Sequence, residues 1–259
     1  METVTHLQKH PIASMEKPDI IKKLKNDEEY YGKFGKQFLS QSDIGTLLTN
    51  PKQFKETRED NKAFAEGRYF HQCILEPDKA KYFPAIDVAS RNTKAYKEAL
   101  AESGQTVILL QKEKEAVEEM VKAMKGNFAF FDKIYADGNK FEVPEVAVIK
   151  GRPFKGKADI VCADYVIDLK TSSNIQDFKW TSRKYNYDVQ CYIYQQLFGK
   201  PMKFYVIDKN THLLGRATPP RDFLRSGEAK LIEALAVYDR FFGEDSTEDV
   251  NDYVLDIEL

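Results

Sequence analysis

The segment 165–171 (YVIDLKT) places an aspartate and a lysine two residues apart, Asp168 and Lys170. If it is a strand, alternation puts Val166, Asp168 and Lys170 on one face and Tyr165, Ile167 and Leu169 on the other. The second face is apolar and is expected to point into the core. A further carboxylate, Asp159, lies in the preceding segment 154–162 (FKGKADIVC), on what reads as the neighbouring strand. Two carboxylates brought together repel, so a compensating charge is needed. A divalent cation supplies one. Mg²⁺ prefers oxygen ligands and is commonly held by one or two carboxylates plus substrate phosphate. It acidifies a bound water and offsets charge growing on phosphate, and a nearby ammonium can hold that water or the phosphate. Removing Asp168 would then relieve repulsion when no metal is present. The alternative is a solvated Asp168–Lys170 pair on an edge strand.

Elements that position such a site are legible around it. Residues 145–150 (EVAVIK) read as a strand, 151–153 as a turn, 154–162 as a second strand and 165–171 as a third. A loop containing Trp180 follows, then a helix over 187–198 ended by Gly199. Residues 203–208 form a fourth strand, 212–217 a fifth, and 223–242 a last long helix. Upstream, a helix is expected to start near Ser42–Asp43 and to end at Asn50–Pro51, and another to span 61–75. The stretch SRNTKAYKEAL reads as polar, TVILL as a short apolar run, and 112–131 as one helix. The expected fold is mixed α/β, with an N-terminal helical part. Residues 1–39 read as a partly ordered extension, 40–245 as one domain and 246–259 as an acidic tail.

The totals narrow the classes. A chain of 259 residues, 42% hydrophobic and 31% charged, can build a sizeable core without staples. Three widely separated cysteines cannot supply a four-cysteine metal or iron–sulfur set. With no secretory signal or membrane-length apolar run, they point to a soluble, cytoplasmic protein. The net charge of −2 disfavours a passive DNA-coating protein. An enzyme with its basic groups gathered in one groove remains compatible.

The run GRPFKGKADIVCADYVIDLKT, followed by VQCYIYQQLFG, resembles the PD-(D/E)XK nuclease superfamily, most closely its RecB/RecE-like branch. The matching residues are Gly156 with Asp159, then Asp168, Leu169, Lys170 and Thr171, then Gln190 with Tyr194. Two upstream pieces extend the likeness, FAEGRYFHQCILEPDKA with His71 and SQSDIGTLLTNPKQF, so that it covers roughly residues 40–210. The resemblance implies a restriction-endonuclease-like core, a mixed central sheet flanked by helices. It implies Mg²⁺ (Mn²⁺ substituting) held by His71, Asp159, Asp168 and the Leu169 carbonyl, with Lys170 assisting the water. Gln190 and Tyr194 would shape the site from one face of a helix.

Lacking cysteines for a cluster, the chain is expected to be similar to the smaller phage recombination exonucleases. Such enzymes act on double-stranded DNA ends and leave single strands for an annealing protein, often as ring-like homo-oligomers. An endonuclease or flap nuclease, a catalytically silent DNA-binding module and a metal-free interaction domain are the rivals. Each residue also has a plainer reading: His71 as a helix histidine bonded to backbone, and Gln190 and Tyr194 as packing residues. Glu145 is expected to be structural or to support a ligand from behind. Lys179, Trp180, Arg183 and Lys184, with Thr171, are candidate DNA contacts or parts of a solvated loop.

Overall fold

The computed structural model describes residues 15–56 and 59–255, so parts of the expected extension and of the acidic tail lie outside the described residues. Two short helices come first, α1 (Lys17–Leu24) and α2 (Asp27–Tyr31). Pro18 sits in the first turn of α1, where the N–H it lacks would have no intrahelical partner. These helices fall within the segment read as an extension, yet Ile20, Leu24, Tyr30 and Phe38 bury against Val146 of the sheet. The polar, lysine-rich sequence hides this because only a few apolar residues carry the packing. Helix α3 (Gln41–Thr49) starts one residue before the expected Ser42–Asp43. Ser40 is its cap, with its N–H and Oγ on Asp43 Oδ2 at 2.8 and 2.6 Å.

Helix α4 (Lys62–Leu75) runs as expected, capped by Asn61, and α5 (Pro77–Ala80) follows it. Strand β1 (Ala85–Ile86) pairs in parallel with β2 (Leu109–Leu110) from the TVILL run. Between them the polar stretch forms α6 (Lys94–Ser103), which buries Tyr96 alone and so shows no apolar periodicity. The helix expected over 112–131 is two, α7 (Gln111–Gly126) and α8 (Phe128–Ile134). Asn127 breaks it by taking an extended conformation and capping α8.

The main sheet contains β3 (Lys140–Ile149), β4 (Arg152–Val161), β5 (Val166–Ser172), β6 (Met202–Asp208) and β7 (Leu214–Ala217), side by side in that order. The first three form an antiparallel meander, β5 and β6 are parallel, and β7 is antiparallel to β6. A parallel step needs a crossover. Helices α9 (Phe178–Lys184) and α10 (Tyr187–Phe198) supply it, and α11 (Arg221–Phe242) closes the chain's main body. One core joins Phe154, Val166, Phe204 and Val206 to α3, α10 and α11. The other joins Ile160, Ile167, Leu169 and Ile207 to Phe70 of α4, Val117 and Met124 of α7 and Phe130 of α8. The architecture is therefore the expected mixed sheet between helical layers. Among the described residues no helix is long and apolar enough to cross a membrane.

Glu113 ties the small parallel pair to the body. Its carboxylate accepts both Arg91 Nη groups at 2.8 and 2.6 Å and the Leu110 N–H at 2.9 Å. Burial opposes its charge, but these partners outweigh burial and hold its pKa down to about 2. With the folded value below the ordinary 4.5, the stabilisation is complete above pH 4.5 and fades as pH falls towards 2. Glu113→Gln is expected to cost on the order of 2 kcal/mol at pH 7. Urea unfolding of both proteins should show that difference shrinking in acid.

Candidate active site

The site begins where two strands part. β4 and β5 pair only at Ile160–Ile167 and Val161–Val166. Beyond that the strands splay, and an unpaired backbone N–H inside the fold would be costly. Asp159 fills the opening, its Oδ2 accepting the Leu169 N–H at 2.7 Å. The carboxylate is thereby fixed beside the residue that separates Asp168 from Lys170.

His71, on α4, approaches the same oxygen, with Nε2 3.1 Å from Asp159 Oδ2 and Nδ1 2.8 Å from the Gly67 carbonyl one turn back. Both the expected site contact and the plainer backbone bond are thus present. Burial disfavours charge on the imidazole, yet the Asp159 carboxylate prevails and raises its pKa to about 9. Burial likewise opposes the Asp159 charge, but His71, Lys170 and the Leu169 N–H together hold its pKa below the ordinary value. The two form an imidazolium–carboxylate pair at neutral pH.

Asp168 is only 4% exposed, so the polar face of β5 is covered as well as the apolar one. The cover is α10. Gln190 Nε2 donates to Asp168 Oδ1 at 2.6 Å, and Lys170 Nζ lies 2.6 Å from Oδ2. Among the described residues no hydrogen-bond donor is aligned on that buried Oδ2, whose partner is Lys170 in the ion pair. Burial, together with repulsion from Asp159, raises the proton affinity of Asp168 despite Lys170. Lys170 stays protonated, since the neighbouring carboxylates outweigh the effect of burial. Its ammonium also stands 4.7 Å from the centre of the Tyr187 ring.

Tyr194, one turn after Gln190, donates its hydroxyl to the Lys157 carbonyl at 2.9 Å. Gly156 explains how α10 comes so close. A Cβ there would lie 2.6 Å from Leu197 Cδ1 and 3.1 Å from Tyr194 Cε2. Five residues picked out in sequence thus form two contacting groups, His71 with Asp159 and Gln190 with Asp168 and Lys170. The Leu169 N–H links them into one network, with Tyr194 bracing β4.

Glu145 does not support this site. Its Oε1 bonds its own neighbour's Val146 N–H at 2.8 Å and pairs with Lys17 of α1 at 2.9 Å. The acidic residue that β3 presents is Glu142. The register, with Phe141 opposite Ile160 and Val143 opposite Ala158, sets it across from Asp159. Its φ of 49° is a left-handed conformation that a glutamate seldom adopts within a strand. Burial and then the Asp159 charge push its pKa up to about 7. With His71, Asp159, Lys157 and Arg68 it lines a wide cleft between α2, α3 and α4. Sequence reading missed Glu142 because it starts the strand at residue 145, with Pro144 masking the earlier half. Proline is tolerated here since β3 is an edge strand.

The expected loop around Trp180 is helix α9. Lys179, Trp180 and Lys184 are exposed on it. Arg183 is engaged with Asp222 at 3.0 Å and lies over the Phe223 ring, which gives it a structural task. Thr171 follows Lys170 on β5, in register with Ile207, and among the described residues no side-chain hydrogen bond or ion pair joins it to the network.

Among the described residues no three His, Cys, Asp or Glu side chains form a ready metal cage. The donor chemistry nonetheless fits a hard cation. Two carboxylates on adjoining strands feel each other's charge, and one has a buried oxygen with no aligned donor among the described residues. His71 would fit only after giving up its proton and its bond to Asp159.

Residues 36–213 match the family model described as a PDDEXK-like domain of unknown function (DUF3799). In three dimensions the chain is similar to a candidate exonuclease from Eubacterium rectale. The TM-score is 0.62 at 18% identity, over 90% of this chain and 95% of that one. At that identity the likeness concerns the fold. A phage related exonuclease from Haemophilus somnus 129PT aligns over 81% of this chain and 96% of its own at 14% identity, with a TM-score of 0.35 that bears no argument. No curated protein matches significantly. Because the family match takes in well over half of the chain and all of the network from His71 to Tyr194, the chain belongs to the PDDEXK-like DUF3799 family.

Proposed function

We propose that this protein is a Mg²⁺-dependent deoxyribonuclease, acting from the ends of double-stranded DNA and leaving single strands for an annealing protein. One observation carries the reading: the Asp159 carboxylate is held by the Leu169 N–H beside the buried Asp168–Lys170 pair. A structural ion pair would not need the second carboxylate so close. Asp159, Asp168 and the Leu169 carbonyl would hold Mg²⁺, with Mn²⁺ substituting and His71 joining once deprotonated. When bound, the ion supplies neutralising charge at phosphate and acidifies a water.

The chain's own residues do the rest. Gln190 fixes Asp168 through Oδ1, so that Oδ2, which pairs with Lys170, is the oxygen that would turn to the cation. Lys170, kept protonated by the carboxylates, donates to a phosphate oxygen or orients the attacking water. Tyr194 and Gly156 keep α10 seated so that Gln190 stays in reach. The resemblance to RecE-type enzymes supports end-dependent action and a ring of identical subunits around the duplex.

Incubation with linear and covalently closed duplexes tests this. Linear DNA should disappear in Mg²⁺ whatever its sequence, closed circles should survive, EDTA should stop the reaction and added salt should slow it. Rapid cutting of closed circles would favour an endonuclease or flap nuclease on the same core. Binding of DNA with no cleavage of either form would favour the silent module.

A further inference from the structure

Helix α9 turns Phe178 and Ser182, one turn apart, into the protein. The other side therefore faces solvent, and it carries Lys179, Trp180 and Lys184. Trp180 is 68% exposed, and Tyr185 just beyond the helix is 56% exposed. A single exposed aromatic is ordinary. Here there are two within six residues, and the Lys179 ammonium lies 5.3 Å from the centre of the indole. Neither Lys179 nor Lys184 has a carboxylate partner among the described residues, whereas Arg183 between them is neutralised by Asp222. The patch is thus aromatic with uncompensated positive charge.

It is also joined to the candidate active site. The Tyr185 and Tyr187 rings lie 6.0 Å apart, and Tyr187 receives the Lys170 ammonium at 4.7 Å. Tyr187 is fixed from behind by Phe204 and Phe178, at 5.5 and 6.0 Å. A row of rings therefore leads from Lys170 to the surface beside α9.

We infer that Trp180 and Tyr185, with Lys179 and Lys184, form a landing surface for one unpaired DNA strand next to the scissile site. The inference rests on the nuclease reading for its place in the reaction. The chemistry selects a single strand, because a base offers a ring a flat face to stack on only when it is not stacked inside a duplex. The lysines meet the phosphates, and stacking on any base makes the surface indifferent to sequence.

Trp180 is the only tryptophan in the chain, so its fluorescence reports this surface alone. The full chain in EDTA, where no cleavage occurs, is titrated with an oligothymidylate and with a capped duplex hairpin of equal length. The single strand should quench the emission and the hairpin should not. By anisotropy of labelled oligothymidylate, Trp180→Ala should bind roughly tenfold more weakly, and Trp180→Phe should restore most of the loss. Lys179→Ala and Lys184→Ala should each lower the salt dependence of binding by about one unit of slope. Unchanged affinity in Trp180→Ala, or equal quenching by the hairpin, overturns the inference. The two failures separate. Cleavage that needs Asp168 but ignores Trp180 removes only this surface. Quenching by single strands without cleavage removes only the nuclease reading.

Discussion

Asparagine in place of Asp168 is expected to lower the rate of DNA cleavage by at least about a thousandfold, while the protein still folds. The substitution keeps the side chain's shape, and its amide oxygen can still accept the Gln190 Nε2 donor that now meets Oδ1 at 2.6 Å. What it removes is the charge that holds Lys170 at 2.6 Å and that a divalent cation would need. Asp159 remains to attract the Lys170 ammonium, so the buried lysine is not left without a counter-charge. Asp168→Ala is a poorer test. From sequence, removing this carboxylate looks like relief of repulsion. The structure sets a cost against that relief, because alanine strands the buried Gln190 amide that now meets Asp168 Oδ1, so lost folding and lost catalysis would be harder to tell apart. Rates on linear duplex in Mg²⁺, read beside thermal melts of the same preparations, decide the matter. Cleavage within tenfold of wild type by Asp168→Asn would remove Asp168 from the active site.

A large loss of stability is expected from Gly227→Ala. Gly227 lies in α11 where that helix presses on the start of α10. A Cβ would fall 2.0 Å from the Asp188 carbonyl oxygen and 2.9 Å from the Val189 nitrogen. Both are backbone atoms of a helix, so no side-chain rotation can relieve the clash and α10 itself has to move. The same corner holds a buried polar knot. Asp188 is fully buried, bonded by Ser226 Oγ at 2.7 Å and paired with Lys230 at 3.0 Å, while Lys230 also reaches Asn186 Oδ1 at 2.9 Å. Moving α10 loosens that knot in addition to the overpacking, for a total of roughly 3 kcal/mol or more. For a domain of this size that corresponds to a fall in Tm of about 6–12 °C. Gln190 rides on the same helix, so the fraction that stays folded should also cleave more slowly. A melting temperature within 2 °C of wild type, by the same scale, would show that the contact yields freely.

Along the chain, the legible features are local. Alternation in YVIDLKT sets Asp168 and Lys170 on one side of a strand, and four-residue spacing sets Gln190 and Tyr194 on one side of a helix. Asn61 starts the His71 helix, and Gly199 ends α10 in the left-handed conformation that glycine takes readily. Each of these depends on residues within a turn or two of one another. What lies opposite is set by packing between distant segments. Asp159 reaches the Leu169 N–H only because β4 and β5 separate after two paired positions, and it meets His71 from 88 residues away. Glu142 rather than Glu145 faces the site because the β3–β4 register puts it across from Asp159, while Lys17 of a helix far upstream draws Glu145 away. Arg183 looks in sequence like its neighbours Lys179 and Lys184, yet Asp222 on α11 claims it. Register, strand separation and ion-pair partners are settled by contacts between segments far apart in the chain, and a pattern with a period of two or 3.6 residues carries no information about them.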